Sequence, residues 1–136
     1  MNEIRTIEPF IRLGERLAEE LLDGTIEPVI RRSEAENPWF SRANVVSAIQ
    51  AICTDMLDGR NLGSWLARYP AAGRPSDETV GIVMAGNIPL VGFFDLLCVL
   101  VSGHGCLVKP SAKDSVLMEH VVGLLREIDP SAPVRL

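Results

Sequence analysis

Apolar positions along this chain change rhythm past its middle, from helical spacing to short unbroken runs. In the first half, Ile7, Phe10, Ile11, Leu13, Leu17, Leu21 and Leu22 recur at the period of an amphipathic helix. Gly24 is its expected stop, and Pro9 is read near its start, where a missing N–H does little harm. Residues 27–35 predict a second, short helix closed by Asn37-Pro38. Ser41 is a favourable N-cap for a third run through Val45, Val46, Ala48, Ile49, Ile52, Cys53 and Met56, ended by Asp58-Gly59. Leu62, Trp65 and Leu66 mark a fourth amphipathic piece over residues 61–69.

Residues 70–77, rich in Pro, Gly and small polar side chains, read as a linker. Beyond it, residues 80–84 and 105–108 are short, apolar strand candidates. An apolar helix is expected between them, with Pro89 in its first turn. Asp114 or Ser115 then caps a last helix through Val116, Leu117, Val121, Val122, Leu124 and Leu125, before Asp129-Pro130. The expected fold class is α/β: N-terminal helices over residues 1–70, a linker at 71–79, and a β-α-β-α unit from 80 to 136. Two parallel strands cannot make a stable sheet with both faces covered. Residues 132–136 stand where the next strand begins, so the sheet is read as incomplete and the chain as part of a larger protein.

Composition narrows the function classes. The net charge of -5 gives no electrostatic reason to expect nucleic acid as a partner. Cys53, Cys98 and Cys106 form no CxxC pair, which argues against a disulfide framework or a zinc site and suits a reducing cytoplasm. The N-terminus lacks the apolar run of a signal peptide. The apolar segment at 88–101 contains Asp95 and falls short of the ~20 residues a spanning helix needs, so no membrane span is expected.

Chemistry is expected at the carboxyl ends of the two strands, where open parallel sheets bind ligands. Ala85-Gly86-Asn87 follows the first and Lys109-Pro110-Ser111 the second. Neither Gly-x-Gly-x-x-Gly nor GxxxxGK[ST] is present. Asn87 could donate its amide N–H to a developing oxyanion, or cap a helix beginning at Ile88 or Pro89. Lys109 and Ser111 could hold a ribose or phosphate, or lie in a solvated loop. Lys109 and Lys113 are the chain's two lysines. His104, in a helix-to-strand turn, reads as structural more readily than as an acid or base. Cys98 and Cys106 sit in apolar runs and read as core residues. Asp95 is expected at a helix interface or at the edge of a site.

Gly81-Ile82-Val83, Asn87-Ile88-Pro89-Leu90 and Gly105-Cys106-Leu107-Val108-Lys109-Pro110-Ser111 together resemble the cofactor-binding core of the aldehyde dehydrogenase superfamily. Ala85-Gly86-Asn87-Ile88-Pro89-Leu90 and Asn37-Pro38-Trp39-Phe40 resemble its acyl-CoA reductase branch, the family of the bacterial luminescence fatty acyl reductase. The resemblance extends over nearly the whole chain, with its specific part at 80–113. It implies a Rossmann-type sheet in which 80–136 is the first part of an NAD(P)-binding domain. It also implies that Asn87 is the oxyanion-hole residue and that Met84, Ala85 and Gly86 line the nicotinamide half of the cofactor. By the same resemblance, Lys109 contacts the adenosine ribose, with Ser111 beside it. Ala112 stands where many NAD-dependent members carry a glutamate for the ribose 2′-hydroxyl, and Lys113 adds a charge next to it. Losing the carboxylate and gaining a cation favours a 2′-phosphate, hence NADPH over NADH.

The substrate implied is an acyl-CoA or acyl-protein thioester, reduced to an aldehyde through a cysteine thioester. None of the three cysteines matches the family nucleophile, so the catalytic part is expected outside this chain and the chain alone is expected to be inactive. The alternatives are a semialdehyde or γ-glutamyl phosphate reductase of the same superfamily, and a non-catalytic nucleotide- or partner-binding module. An open sheet edge and an apolar helix would make such a piece prone to associate, including with copies of itself.

Overall fold

The computed structural model describes residues 2–69 and 76–136, over which six α-helices accompany a three-stranded parallel sheet covered on one face. The expected linker at 70–77 lies outside the described residues except for Ser76 and Asp77. Helix α1 spans Asn2–Asp23, so Pro9 stands inside it rather than near its start. Gly24 ends it with φ 81°, a left-handed conformation that glycine adopts without a Cβ penalty. Helix α2 covers Glu27–Glu36, and α3, Arg42–Ala51, starts where Ser41 accepts the Asn44 amide.

The third apolar run is not one uniform helix. It continues from α3 as a π-helical turn over Ile52–Met56, closed by the Leu57 amide on the Ile52 carbonyl at 2.9 Å. Asn61 Nδ2 donates to the freed carbonyls of Thr54 and Asp55. Asp58, expected to end this run, instead N-caps helix α4, Gly59–Leu66, by accepting the Asn61 amide.

Strands β1 (Thr79–Val83), β2 (Gly105–Lys109) and β3 (Val134–Arg135) lie in that order, all parallel. The third strand is the one expected from residues 132–136. Register pairs Val83 with Lys109 and Cys106 with Val134. Side chains alternate across the sheet. Cys106, Val108 and Val134 turn inward and are buried, while Leu107 and Lys109 face out.

Helix α5, Phe93–Val101, packs on β1 and β2, and α6, Ser115–Ile128, packs on α1 and α2. Leu13, Ile30 and Ile49 from the N-terminal helices share one continuous core with Phe93, Leu96, Val108 and Val122. A partly buried pair, His120 Nε2 on Glu20 Oε1 at 2.7 Å, joins α6 to α1. The opposite sheet face is open: Val83 is 82% exposed and Leu107 48%. A shallow depression of about 500 Å³ on that face, lined by Gly81, Val83, Leu107, Lys109 and Leu136, is the uncovered sheet itself. No helix among the described residues is long and apolar enough to cross a membrane.

Candidate functional site

Two turns leave the sheet side by side. The Met84 amide donates to the Lys109 carbonyl at 3.0 Å, so the chain leaves β1 still tied to the end of β2. Two residues later Gly86 lies directly against the second turn. A Cβ there would come 2.3 Å from Ser111 Oγ and 3.0 Å from Lys113 Cβ, so only glycine allows this approach. Ser111 Oγ accepts the Lys113 amide at 3.1 Å, and the Ser111 carbonyl accepts the Asp114 amide at 3.0 Å. These bonds fold 111–114 into a tight turn and leave the Ser111 hydroxyl proton available.

Met84 packs its side chain against Gly92, at the end of the turn segment that follows Asn87. A Cβ on Gly92 would come 2.5 Å from Met84 Cγ, and Met84 is 7% exposed. Ala85, Asn87, Lys109, Ala112 and Lys113 are exposed, and Gly86 and Ser111 are half-buried. Neither lysine has an ion pair among the described residues. The structure thus brings Met84, Ala85, Gly86 and Asn87 together with Lys109, Ser111, Ala112 and Lys113 at one end of the sheet.

The segment after Asn87 departs from expectation. Helix α5 begins at Phe93, not at Ile88 or Pro89. Residues 87–92 form a pair of turns, with the Val91 amide on the Ile88 carbonyl and the Phe93 amide on the Leu90 carbonyl. Leu90 has φ 58°, a costly value for a side chain branched at Cγ. Asn87 therefore caps no helix, and its amide hydrogen-bonds to no described residue. Pro89 belongs to the turn, not to a helical first turn.

Asp114 occupies the N-cap position of α6 but makes no capping bond. Its Oδ2 accepts the buried Leu90 amide at 2.7 Å, across to the other turn. The cap comes from elsewhere: Glu36 at the end of α2 accepts the Ser115 amide at 2.8 Å and the Ser115 hydroxyl at 2.5 Å. The Val116 amide also points at Glu36 Oε1. That carboxylate takes the position an anionic ligand would use at this helix end. Burial, reinforced by the nearby Glu36 charge, pushes the Asp114 carboxyl up to about 6, with the Leu90 amide pulling the other way.

Next to Glu36, buried Asn37 donates from Nδ2 to the Gly86 carbonyl at 3.2 Å and accepts the Trp39 amide at 3.0 Å. Glu36, Asn37 and Asp114 thus brace the turn pair from behind. Sequence reading missed these contacts because they join positions 24 to 80 residues apart. An acidic residue and an Asn-Pro beside each other at a helix end were the available signal.

Other polar candidates lie elsewhere. His104 Nδ1 is 2.8 Å from Ser102 Oγ, at the opposite end of β2 from Lys109. That hydroxyl already donates to the Val99 carbonyl, so the histidine donates to Ser102 and the pair closes α5. Asp95 is exposed on the first turn of α5, not in a helix interface. Burial pushes the Cys53 thiol up to about 11 and also raises Cys98 and Cys106. Cys106 is core, as expected, while Cys53 and Cys98 are only partly buried.

The sequence model of a family described as acyl-CoA reductase (LuxC) matches residues 59–135, which contain both turns and all three strands. The chain belongs to that family. Comparison with curated proteins and with solved structures gave no match. Membership of the LuxC family makes oxidoreductase chemistry on an acyl substrate the frame for these turns, with a nicotinamide cofactor in general as the reductant. The family match also begins at α4, so Glu36 and Asn37 brace the turns from outside the matched segment.

Proposed function

We propose that this chain supplies the cofactor-side half of a reductase that converts a fatty acyl thioester to an aldehyde with NADPH, through a cysteine thioester. The observation that carries the reading is the packing of Gly86 on Ser111 and Lys113. It places the Asn87 turn and the lysine turn at one end of two adjacent parallel strands.

The donor set suits a phosphorylated dinucleotide. Lys109 and Lys113 are exposed cations, Ser111 keeps a free hydroxyl proton, and Ala112 offers no carboxylate to repel a 2′-phosphate. Because Glu36 fills the α6 N-terminus, attraction for phosphate falls to the two lysines. NADPH, when bound, supplies the hydride. The exposed amide of Asn87 donates a hydrogen bond to the acyl carbonyl oxygen as negative charge develops on it, a contribution on the order of 3 kcal/mol where such donors have been removed. The attacking thiol is none of the chain's three. Burial raises all three thiols, which disfavours the thiolate, and none lies at the turn pair. We therefore read the chain by itself as binding cofactor without reducing substrate.

Equilibrium titration of the chain with NADPH and with NADH tests this reading. Saturable binding that favours NADPH and weakens at least about tenfold in Lys109→Ala is expected. Equal affinity for the two cofactors would refute the 2′-phosphate preference. Binding indifferent to Lys109 would refute the site.

A further inference from the structure

Asn87 is held from both sides by buried polar side chains that touch only backbone. On one side the Gly86 carbonyl accepts Asn37 Nδ2, and on the other the Leu90 amide donates to Asp114 Oδ2. Asn37 is 3% exposed and Asp114 4%. Of these two grips the second bears on the costlier backbone. Leu90 is the one non-glycine residue with positive φ among the described residues, and its side chain is buried. Such a conformation persists only where its surroundings impose it.

Asp114 is an unusual choice for that task. Its Oδ1 has no hydrogen-bond partner among the described residues, and an unsatisfied buried oxygen is costly. It also gives up the N-cap of its own helix, which Glu36 provides in its place. Here the cap is delegated and the carboxylate spent on the bend three residues after Asn87.

We propose that Asp114 is the positioning residue for Asn87: by holding the Leu90 amide it imposes the left-handed bend that fixes the 86–90 turn against the lysine turn. Asp114 touches no ligand in this arrangement and acts through Leu90. The proposal rests on reading Asn87 as part of the site. It deepens that reading by adding a residue outside the motif that carried it.

NMR on the 136-residue chain provides the test. A through-hydrogen-bond coupling between the Leu90 amide nitrogen and the Asp114 carboxyl carbon is expected in the wild type, and its absence overturns the proposal. In Asp114→Ala, exchange of the Leu90 amide is expected to accelerate about tenfold or more, with displaced Asn87 side-chain amide signals. The Cys106 amide, bonded to the Pro133 carbonyl within the sheet, is expected to keep its protection. Asp114→Asn retains an acceptor oxygen and is expected to restore both the Leu90 protection and the Asn87 signals. Equal acceleration at Leu90 and Cys106, unmoved Asn87 signals, or failure of Asp114→Asn to rescue would each overturn it. None of these readouts needs a nucleotide. NADPH leaving the wild-type spectrum unchanged would therefore overturn the cofactor reading alone, with the positioning role still decided by exchange.

Discussion

Asn37 and Gly86, 49 residues apart, are joined by a hydrogen bond from Nδ2 to the carbonyl oxygen at 3.2 Å. The same side chain accepts the Trp39 amide, so one buried amide links the N-terminal helices to the Asn87 turn. Replacing Asn37 by Ala strands both backbone groups and is expected to cost about 1–3 kcal/mol in denaturant unfolding. Asp at this position keeps the Trp39 bond but cannot donate to Gly86, so it should fail to rescue. Full stability of Asn37→Asp would contradict the bond's importance.

Gly86→Ala is expected to destabilise by roughly 1–3 kcal/mol, because the new methyl meets Ser111 Oγ and Cβ. Ser111→Gly removes both atoms. A double-mutant cycle should show the two changes coupled, with the pair less damaged than the sum of the singles. Strict additivity would mean that the two turns do not press on one another.

Glu36→Ala removes the acceptor for the first amides of α6, and a loss of about 0.5–2 kcal/mol is expected. Glu36→Gln keeps an acceptor and should recover part of it. Thermal unfolding of the two variants measures the difference.

The pH dependence of stability follows from Asp114. Its ordinary value is 3.8, and burial raises it to about 6 in the folded chain. A carboxyl raised on folding stabilises the folded state while it is protonated, and that contribution is lost as pH rises from about 4 through 6. The wild type should therefore lose up to about 3 kcal/mol of Asp114-linked stability across this interval. Asp114→Asn, which carries no titrating group, should show a flatter profile there, measured as unfolding free energy against pH. Identical profiles for the two proteins would refute the linkage.

Local chemistry was legible where one residue decides it alone. Gly24 ends α1 and Ser41 caps α3. The third parallel strand at Val134–Arg135 followed from the need to extend the sheet. What escaped is tertiary. Pro89 fits the first turn of a helix as well as the turn before one, and the bend at Leu90 is imposed by Asp114 from 24 residues away. Asp114 itself carries every local mark of an N-cap, yet Glu36 takes that role because α2 ends beside α6. Neighbours along the chain report propensity; which carboxylate reaches which amide is decided by packing.

Cofactor choice gives a further prediction. Ala112→Glu places a carboxylate beside Lys113 in the exposed turn, where it repels a 2′-phosphate and can accept a ribose 2′-hydroxyl. The ratio of NADPH to NADH affinity should fall by about tenfold or more. An unchanged ratio would separate Ala112 from the ribose.

The most direct measurement is a chemical-shift map of the chain during titration with NADPH. Saturable shifts confined to Met84, Ala85, Gly86, Asn87, Lys109, Ser111, Ala112 and Lys113 are predicted. Shifts centred on Ser102 and His104 at the other end of β2, or none at all, would contradict the assignment of the cofactor to the paired turns.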